Sequence, residues 1–174
     1  SSKKKNYSVV DLFAGCGGLS LGFKNAGFNI VAAYDNWKPA VEVYKLNFDH
    51  PIMDMDLNNV EKSVSNIKQF SPDFIIGGPP CQDFSHAGKR DENGGRANLT
   101  ISYAQIITQI KPKYFLMENV GRISKTKTYK QAIEIFKNAG YGISPYLFDA
   151  SLCGVPQSRK RFIVVGILNG EDDA

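Results

Sequence analysis

The sequence predicts an α/β fold, in which a mostly parallel sheet carries helices on both faces. Short apolar runs alternate with helical segments along nearly the whole chain, the rhythm of strand–crossover–strand units. Several runs stop at glycine or proline, the residues that punctuate such elements. The length of 174 residues suits one domain with a substantial core.

Residues 7–14 read as a buried strand, because Val9, Val10, Leu12 and Phe13 favour strands and Gly15 ends the run. Residues 17–27 read as a helix with Leu19, Leu21, Phe23 and Ala26 as apolar positions, stopped by Gly27. A second strand covers 29–34. Residues 39–48 form a helix with Pro39 in its first turn, where the missing N–H costs little. A short strand end is expected in 53–57 and a helix over 60–70. Residues 74–76 form a compact strand, stopped by Gly77-Gly78-Pro79-Pro80. The stretch 81–98 is long and rich in glycine and charge, the mark of a functional loop or of disorder. A helix follows over 99–110, a strand over 114–117 and a helix over 129–139. Residues 143–149 and 161–167 read as a terminal strand pair. The domain is expected to span 8–168, between an N-terminal tail (1–7) and an acidic tail (169–174).

Apolar residues make up 43% and charged residues 22% of the chain, which excludes collagen, coiled coil and disorder as its main description. No window approaches the roughly 20 apolar residues of a membrane span, and the charged start lacks the apolar stretch of a secretory signal. Cys16, Cys81 and Cys153 cannot all pair, and a reducing, cytoplasmic setting is expected. With no CxxC pair and only His50 and His86, no metal site is expected. The net charge of +4 is uneven: residues 89–161 hold 13 Lys/Arg against 5 Asp/Glu, and the remainder 8 against 12. That balance fits a polyanionic partner such as nucleic acid, and equally a scatter of solvated lysines.

In open α/β sheets ligands bind beyond the carboxyl ends of the strands, so the residues just after each strand carry the chemistry. Asp11-Leu12-Phe13-Ala14-Gly15-Cys16-Gly17-Gly18-Leu19 is a glycine turn from strand to helix, open to close approach by a ligand. Asp35 follows 20 residues after Gly15, where an acid accepts both hydroxyls of a ribose. The pair favours a nucleoside-containing ligand over a tight turn plus a surface acid. The glycine spacing is not that of a nicotinamide site and suits a ligand without pyrophosphate, such as S-adenosylmethionine. Asp56 is placed to hold an adenine amino group, and Trp37 and Phe13 either flank the purine or belong to the core.

Cys81 stands directly after a strand and behind two prolines, which fix the backbone and present the thiol stiffly. It is a candidate nucleophile, the alternative being a buried structural cysteine. Cys16 and Cys153 lack this setting and read as structural. Glu118-Asn119 ends another strand; on a neighbouring strand, about 4.8 Å away, Glu118 reaches the same substrate ring as Cys81 and supplies acid–base assistance. The alternative is an N-cap acid. Arg159 and Arg161 share one face of an extended segment and are fork donors to a phosphate or a base carbonyl, or simply a solvated edge.

Taken in order, DLFAGCGG, GGPPCQDFS, MENV and QSRKR resemble the C5-cytosine DNA methyltransferase family, over about residues 8–166. The resemblance implies a Rossmann-like S-adenosylmethionine-dependent fold with the terminal strand pair antiparallel. It implies that Cys81 attacks C6 of a cytosine flipped out of duplex DNA, that Glu118 holds a proton at N3, and that C5 takes a methyl group from S-adenosylmethionine. Arg159 and Arg161 support the base and the loop. Phe13, Ala14, Gly15, Gly17, Gly18, Leu19, Asp35, Asn36, Trp37, Asp56, Leu57, Pro79 and Leu99 surround the cofactor; Pro80, Gln82, Ser85 and Asn119 face the substrate. The loop to Asn98 closes over DNA. Family members continue into a target-recognition region and a C-terminal segment that these 174 residues do not contain. The expectation is a bacterial or phage-type restriction–modification enzyme, a fragment or one subunit of a split enzyme, weak alone and active with a second polypeptide. Competing readings are a transfer-RNA cytosine methyltransferase, a non-catalytic cofactor-binding scaffold and, far behind, a nicotinamide dehydrogenase.

Overall fold

The computed structural model describes residues 6–80, 98–120, 126–149 and 160–174. Along them run β1 (Ser8–Leu12), α1 (Gly18–Asn25), β2 (Asn29–Asp35), α2 (Lys38–Asn47), β3 (Ile52–Asp54), α3 (Val60–Lys68), β4 (Phe74–Gly77), α4 (Leu99–Ile110), β5 (Tyr114–Val120), α5 (Lys127–Asn138), β6 (Tyr141–Asp149) and β7 (Lys160–Leu168). The strands form one sheet in the order β3-β2-β1-β4-β5-β7-β6. Pairing is parallel from β3 through to β5, and β7 runs antiparallel to both β5 and β6. The chain thus starts in mid-sheet, steps out to β3, then returns past β1 to β4. The order reverses between β1 and β4, the place where a ligand crevice opens beyond the carboxyl ends.

Alternate residues of each strand face opposite layers. Val10, Leu12, Tyr34, Ile75, Phe115 and Met117 pack with Ile67 of α3, Tyr103, Ile106 and Ile107 of α4 and Phe136 of α5. Val9, Ile30 and Ile76 face the other way, against Leu19 and Phe23 of α1, while Ala33 meets Tyr44 of α2 and Phe48. Burial on both faces explains why β1 reads as a continuous apolar run. Asp11 breaks that run and is nevertheless only 1% exposed.

The strand ends depart from the sequence reading for identifiable reasons. β5 runs on to Val120 because β7 pairs with it as far as Val120 opposite Arg161. β6 begins at Tyr141, although Gly142 looks like a break; a Cβ there would meet backbone atoms of Gly170 and Glu171 at 2.5 Å. Residues 169–174, expected to form a tail, fold back onto the sheet. The Ile143 N–H donates to Asp172 Oδ1 at 2.9 Å, the Asp173 N–H to the Ile143 carbonyl at 3.0 Å, and Lys137 pairs with Asp172 at 3.2 Å. Tyr7, read both as the start of the first strand and as the end of the tail, packs edge-on against Tyr114 with ring centroids 5.8 Å apart.

Gly166 of β7 lies against the ring of Phe115, which stacks on Phe136 at 4.2 Å. A methyl group there drives into that ring. Gly166→Ala is expected to cost about 1–3 kcal/mol of stability, measured as a lower urea midpoint at unchanged slope.

Candidate active site at the carboxyl edge of the sheet

Leu12, Gly77 and Met117 stand level across β1, β4 and β5. The next residue of each strand therefore reaches the same rim: Phe13, Gly78 and Glu118. After β1 the chain turns sharply through Phe13 (φ 57°), Gly15 (φ 57°) and Gly17 (φ 97°). Gly17 has a second reason to be glycine, because a Cβ would strike the Phe48 ring. Asp35 ties this turn to the end of β2. Its Oδ2 accepts the Gly15 N–H at 2.8 Å and its Oδ1 the Trp37 N–H at 2.8 Å. One carboxylate thus fixes two loops while facing the space between them.

That space is a cleft of about 260 Å³, lined by Phe13, Asp35, Asn36, Trp37, Met55, Asp56, Leu57, Gly78, Pro80 and Leu99. It lies near the lower end of small-molecule pockets, about 300–1,000 Å³. Apolar walls with two carboxylates and one amide suit a flat heterocycle joined to a diol. Seven of the residues assigned to a cofactor from sequence meet here: Phe13, Asp35, Asn36, Trp37, Asp56, Leu57 and Leu99. Trp37 is 63% exposed, so it is no core residue, whereas Phe13 both lines the cleft and packs on the main core.

Other assigned residues take different places. Leu19 packs against the cluster of Val9, Ile30 and Ile76, and Ala14 against Ala33, Tyr44 and Phe48, both outside the lining. Gly15, Gly17, Gly18 and Pro79 shape the backbone without lining the cleft. Pro80, assigned to the substrate, lines it, as do Met55 and Gly78, which sequence reasoning missed; each is the direct neighbour of a residue that was singled out. Cys16, read as structural, is an exposed free thiol.

Asn119, assigned to the substrate, is only 5% exposed. Its Nδ2 donates to the Pro79 carbonyl at 2.9 Å. Prolines offer no N–H, so a carbonyl is the handle by which the Gly78-Pro79-Pro80 segment is held against β5. Glu118 lies within β5 and is no helix cap. Arg161 of β7 approaches it, Nε to Oε1 at 3.7 Å, and the two side chains stay 36% and 27% exposed, open to a substrate. Cys81, Gln82, Ser85, Cys153 and Arg159 lie outside the described residues, as do the others of 81–97, where sequence predicts a loop. The chain leaving β4 does run close to β5, since the Gly78 Cβ position is 3.5 Å from the Glu118 carbonyl.

Residues 7–174 match the C-5 cytosine-specific DNA methylase family. The chain belongs to this family. It is 57% identical over 162 residues to the type II methyltransferase M.HindV of Haemophilus influenzae, covering 93% of this chain and 53% of that one. It is 56% identical to M.HgiDI of Herpetosiphon aurantiacus, covering 93% and 52%. The chain therefore spans about half the length of these curated relatives. Among solved structures, Spodoptera frugiperda DNMT2 superposes with a TM-score of 0.80 at 30% identity, over 95% of this chain and 51% of that one. The S. pombe Dnmt2 methyltransferase gives 0.81 at 24% identity, over 98% and 52%, a likeness of fold.

In this C-5 cytosine methylase chain the carboxyl of Asp11 lies beneath the glycine turn. Ser20 Oγ donates to its Oδ2 at 2.5 Å, and its Oδ1 has no hydrogen-bond partner among the described residues. Burial pushes its pKa up to about 7, the charges of Asp35 and Glu118 push the same way, and the Ser20 bond opposes them. An acid raised in the folded state contributes stability that is complete below its unfolded pKa and lost as pH rises to its folded one. Wild-type stability is therefore expected to fall by on the order of 2–4 kcal/mol between pH 4 and pH 8 through this group. In Asp11→Asn that decline should flatten, whatever constant offset the amide adds. Urea midpoints measured across this range check it.

Proposed function

We propose that this chain carries the cofactor-binding and catalytic half of an enzyme that methylates C5 of cytosine in duplex DNA. The observation that carries the reading is the convergence, at the β1–β4 switch point, of the cleft, the pinned Pro79-Pro80 segment leading to Cys81, and Glu118 on the next strand. The lining of the cleft fits S-adenosylmethionine: Leu57, Leu99 and the Trp37 indole would border the purine, Asp56 and Asn36 would offer polar edges, and Asp35 would hold the ribose. When bound, the cofactor supplies a methyl group activated by a sulfonium centre.

The chain's own residues do the rest. Cys81, as thiolate, adds to C6 of the flipped-out base and forms a C–S bond. Glu118 holds a proton at N3, so the ring accepts the electron pair without full negative charge. Asn119 holds the Pro79 carbonyl against β5, the strand that carries Glu118. Arg161 orients the Glu118 carboxyl, and Arg159 supports the base. After C5 has gained its methyl group, a general base takes the C5 proton, the C5–C6 double bond re-forms, and the C–S bond breaks to free Cys81 as the thiolate. Target recognition is contributed by chain beyond these 174 residues, in the same or a second polypeptide, which agrees with the coverage of about half of each relative. A cytoplasmic setting accompanies this reading; no helix among the described residues is long and apolar enough to cross a membrane.

The test is transfer of a tritiated methyl group by the chain alone and with the complementary half of a relative such as M.HindV added in trans, on duplex DNA and on transfer RNA. The proposal expects weak or no transfer alone, and transfer to duplex DNA on complementation. Preference for transfer RNA replaces the substrate, and absence of transfer in every combination, with cofactor bound, favours a scaffold.

A further inference from the structure

One line of side chains is not used by this mechanism. It starts at Asp11, runs to Ser20 Oγ at 2.5 Å, to the Tyr44 hydroxyl at 2.9 Å, and ends in a hydrogen bond between the Tyr44 hydroxyl and His50 Nε2. Asp11, Ser20 and Tyr44 are essentially inaccessible, at 1%, 0% and 0% exposure, while His50 is half-buried at the surface end. Each hydroxyl both donates and accepts, so the line has two polarities. In one, Asp11 is protonated and Tyr44 donates to a neutral His50. In the other, His50 Nε2–H donates outward-in and Asp11 is a carboxylate. We propose that Asp11, Ser20, Tyr44 and His50 form a proton path joining the carboxyl under the glycine turn to solvent, and that a cationic cofactor in the neighbouring cleft discharges a proton along it.

The transfer balances. The Asp11 O–H proton passes to Ser20 Oγ, the Ser20 proton to the Tyr44 oxygen and the Tyr44 proton to His50 Nε2, and the proton on Nδ1 leaves to water. No group other than Asp11 ends with changed charge. The surroundings set the bias at both ends. Asp11 is faced by Ser20 from α1, Tyr44 from α2, Tyr103 from α4, Asp35 at the end of β2 and Glu118 from β5; burial first, and then the two carboxylates, favour its neutral form. His50 is faced by Tyr44, by Lys24 of α1 and by the adjacent Asp49; burial and Lys24 hold it neutral against Asp49. A neutral terminus on each side is what allows a single proton to reverse the line. A positive ligand near Asp35 offsets the repulsion and stabilises ionised Asp11. This last part rests on the S-adenosylmethionine reading, whereas the path itself does not.

Two measurements on the full chain separate them. In ligand-free protein, carbon NMR of labelled aspartate and nitrogen NMR of histidine should show Asp11 and His50 sharing an inflection. Tyr44→Phe, which deletes one hydroxyl and keeps the ring stacked on Phe48, should abolish that sharing, as should His50→Gln at the surface end. Independent titration of Asp11 and His50 in the wild type, or sharing that persists in both variants, overturns the path. Calorimetry in buffers of different ionisation enthalpy then compares S-adenosylmethionine with uncharged-sulfur S-adenosylhomocysteine at pH 7. The sulfonium ligand should release more protons per site than the uncharged one, and Asp11→Asn should erase the difference. Equal release by both ligands overturns the discharge. If neither ligand binds, the cofactor reading fails, and the NMR result on the path stands on its own.

Discussion

Cys81→Ser is expected to abolish covalent capture of duplex DNA containing 5-fluorocytosine and to reduce methyl transfer by several orders of magnitude. Serine preserves size and polarity. Its hydroxyl stays protonated at neutral pH, whereas a thiol ionises near pH 8.5 and is far more nucleophilic as the anion. Two prolines and the Asn119 bond to Pro79 fix the backbone just before residue 81, so the substitution removes chemistry and leaves position intact. A denaturing gel of the complemented chain reads the outcome directly, because fluorine at C5 blocks the elimination that would free the adduct. An adduct formed equally well by the serine variant would assign the nucleophile elsewhere.

Glu118→Gln is expected to lower transfer by about 10²–10⁴-fold, the usual contribution of positioned acid–base groups. The amide keeps the shape and one acceptor oxygen, so it still meets Arg161 across β5 and β7. It cannot hand over and retrieve a proton. Glu118 is not among the residues lining the cleft, and cofactor affinity should be nearly unchanged. The variant thus separates proton transfer from binding: single-turnover rates fall while the cofactor titration does not. An unaltered rate would mean that the ring nitrogen is served by another group.

The order of strands and helices was legible because each element carries its own local signal. An apolar run bounded by glycine or proline needs no tertiary contact to be recognised. What stayed hidden depends on contacts between distant residues. Asn119 looks the same in sequence whether it points at a base or at the Pro79 carbonyl; only burial tells them apart. Leu19 sits in a ligand-binding turn by position and in the apolar layer by side chain. Asp11, Ser20, Tyr44 and His50 share no motif, and three different elements and a loop are needed to bring them into line. The cleft residues were more accessible to reasoning, since the carboxyl-edge rule names the residues after each strand. It passed over Met55 and Gly78 only because their side chains, a thioether and a hydrogen, advertise no chemistry.

The reversed direction of β7 has a practical consequence. β6 ends, and β7 begins, on the rim where Glu118 stands, so Asp149 and Lys160, the two anchors of the intervening ten residues (150–159), pair with each other at that edge of the sheet. On the proposed function, a change at Lys160, exposed at that edge, acts on the substrate side of the sheet while leaving the hydrophobic interior alone, which makes it a natural place to begin altering substrate preference.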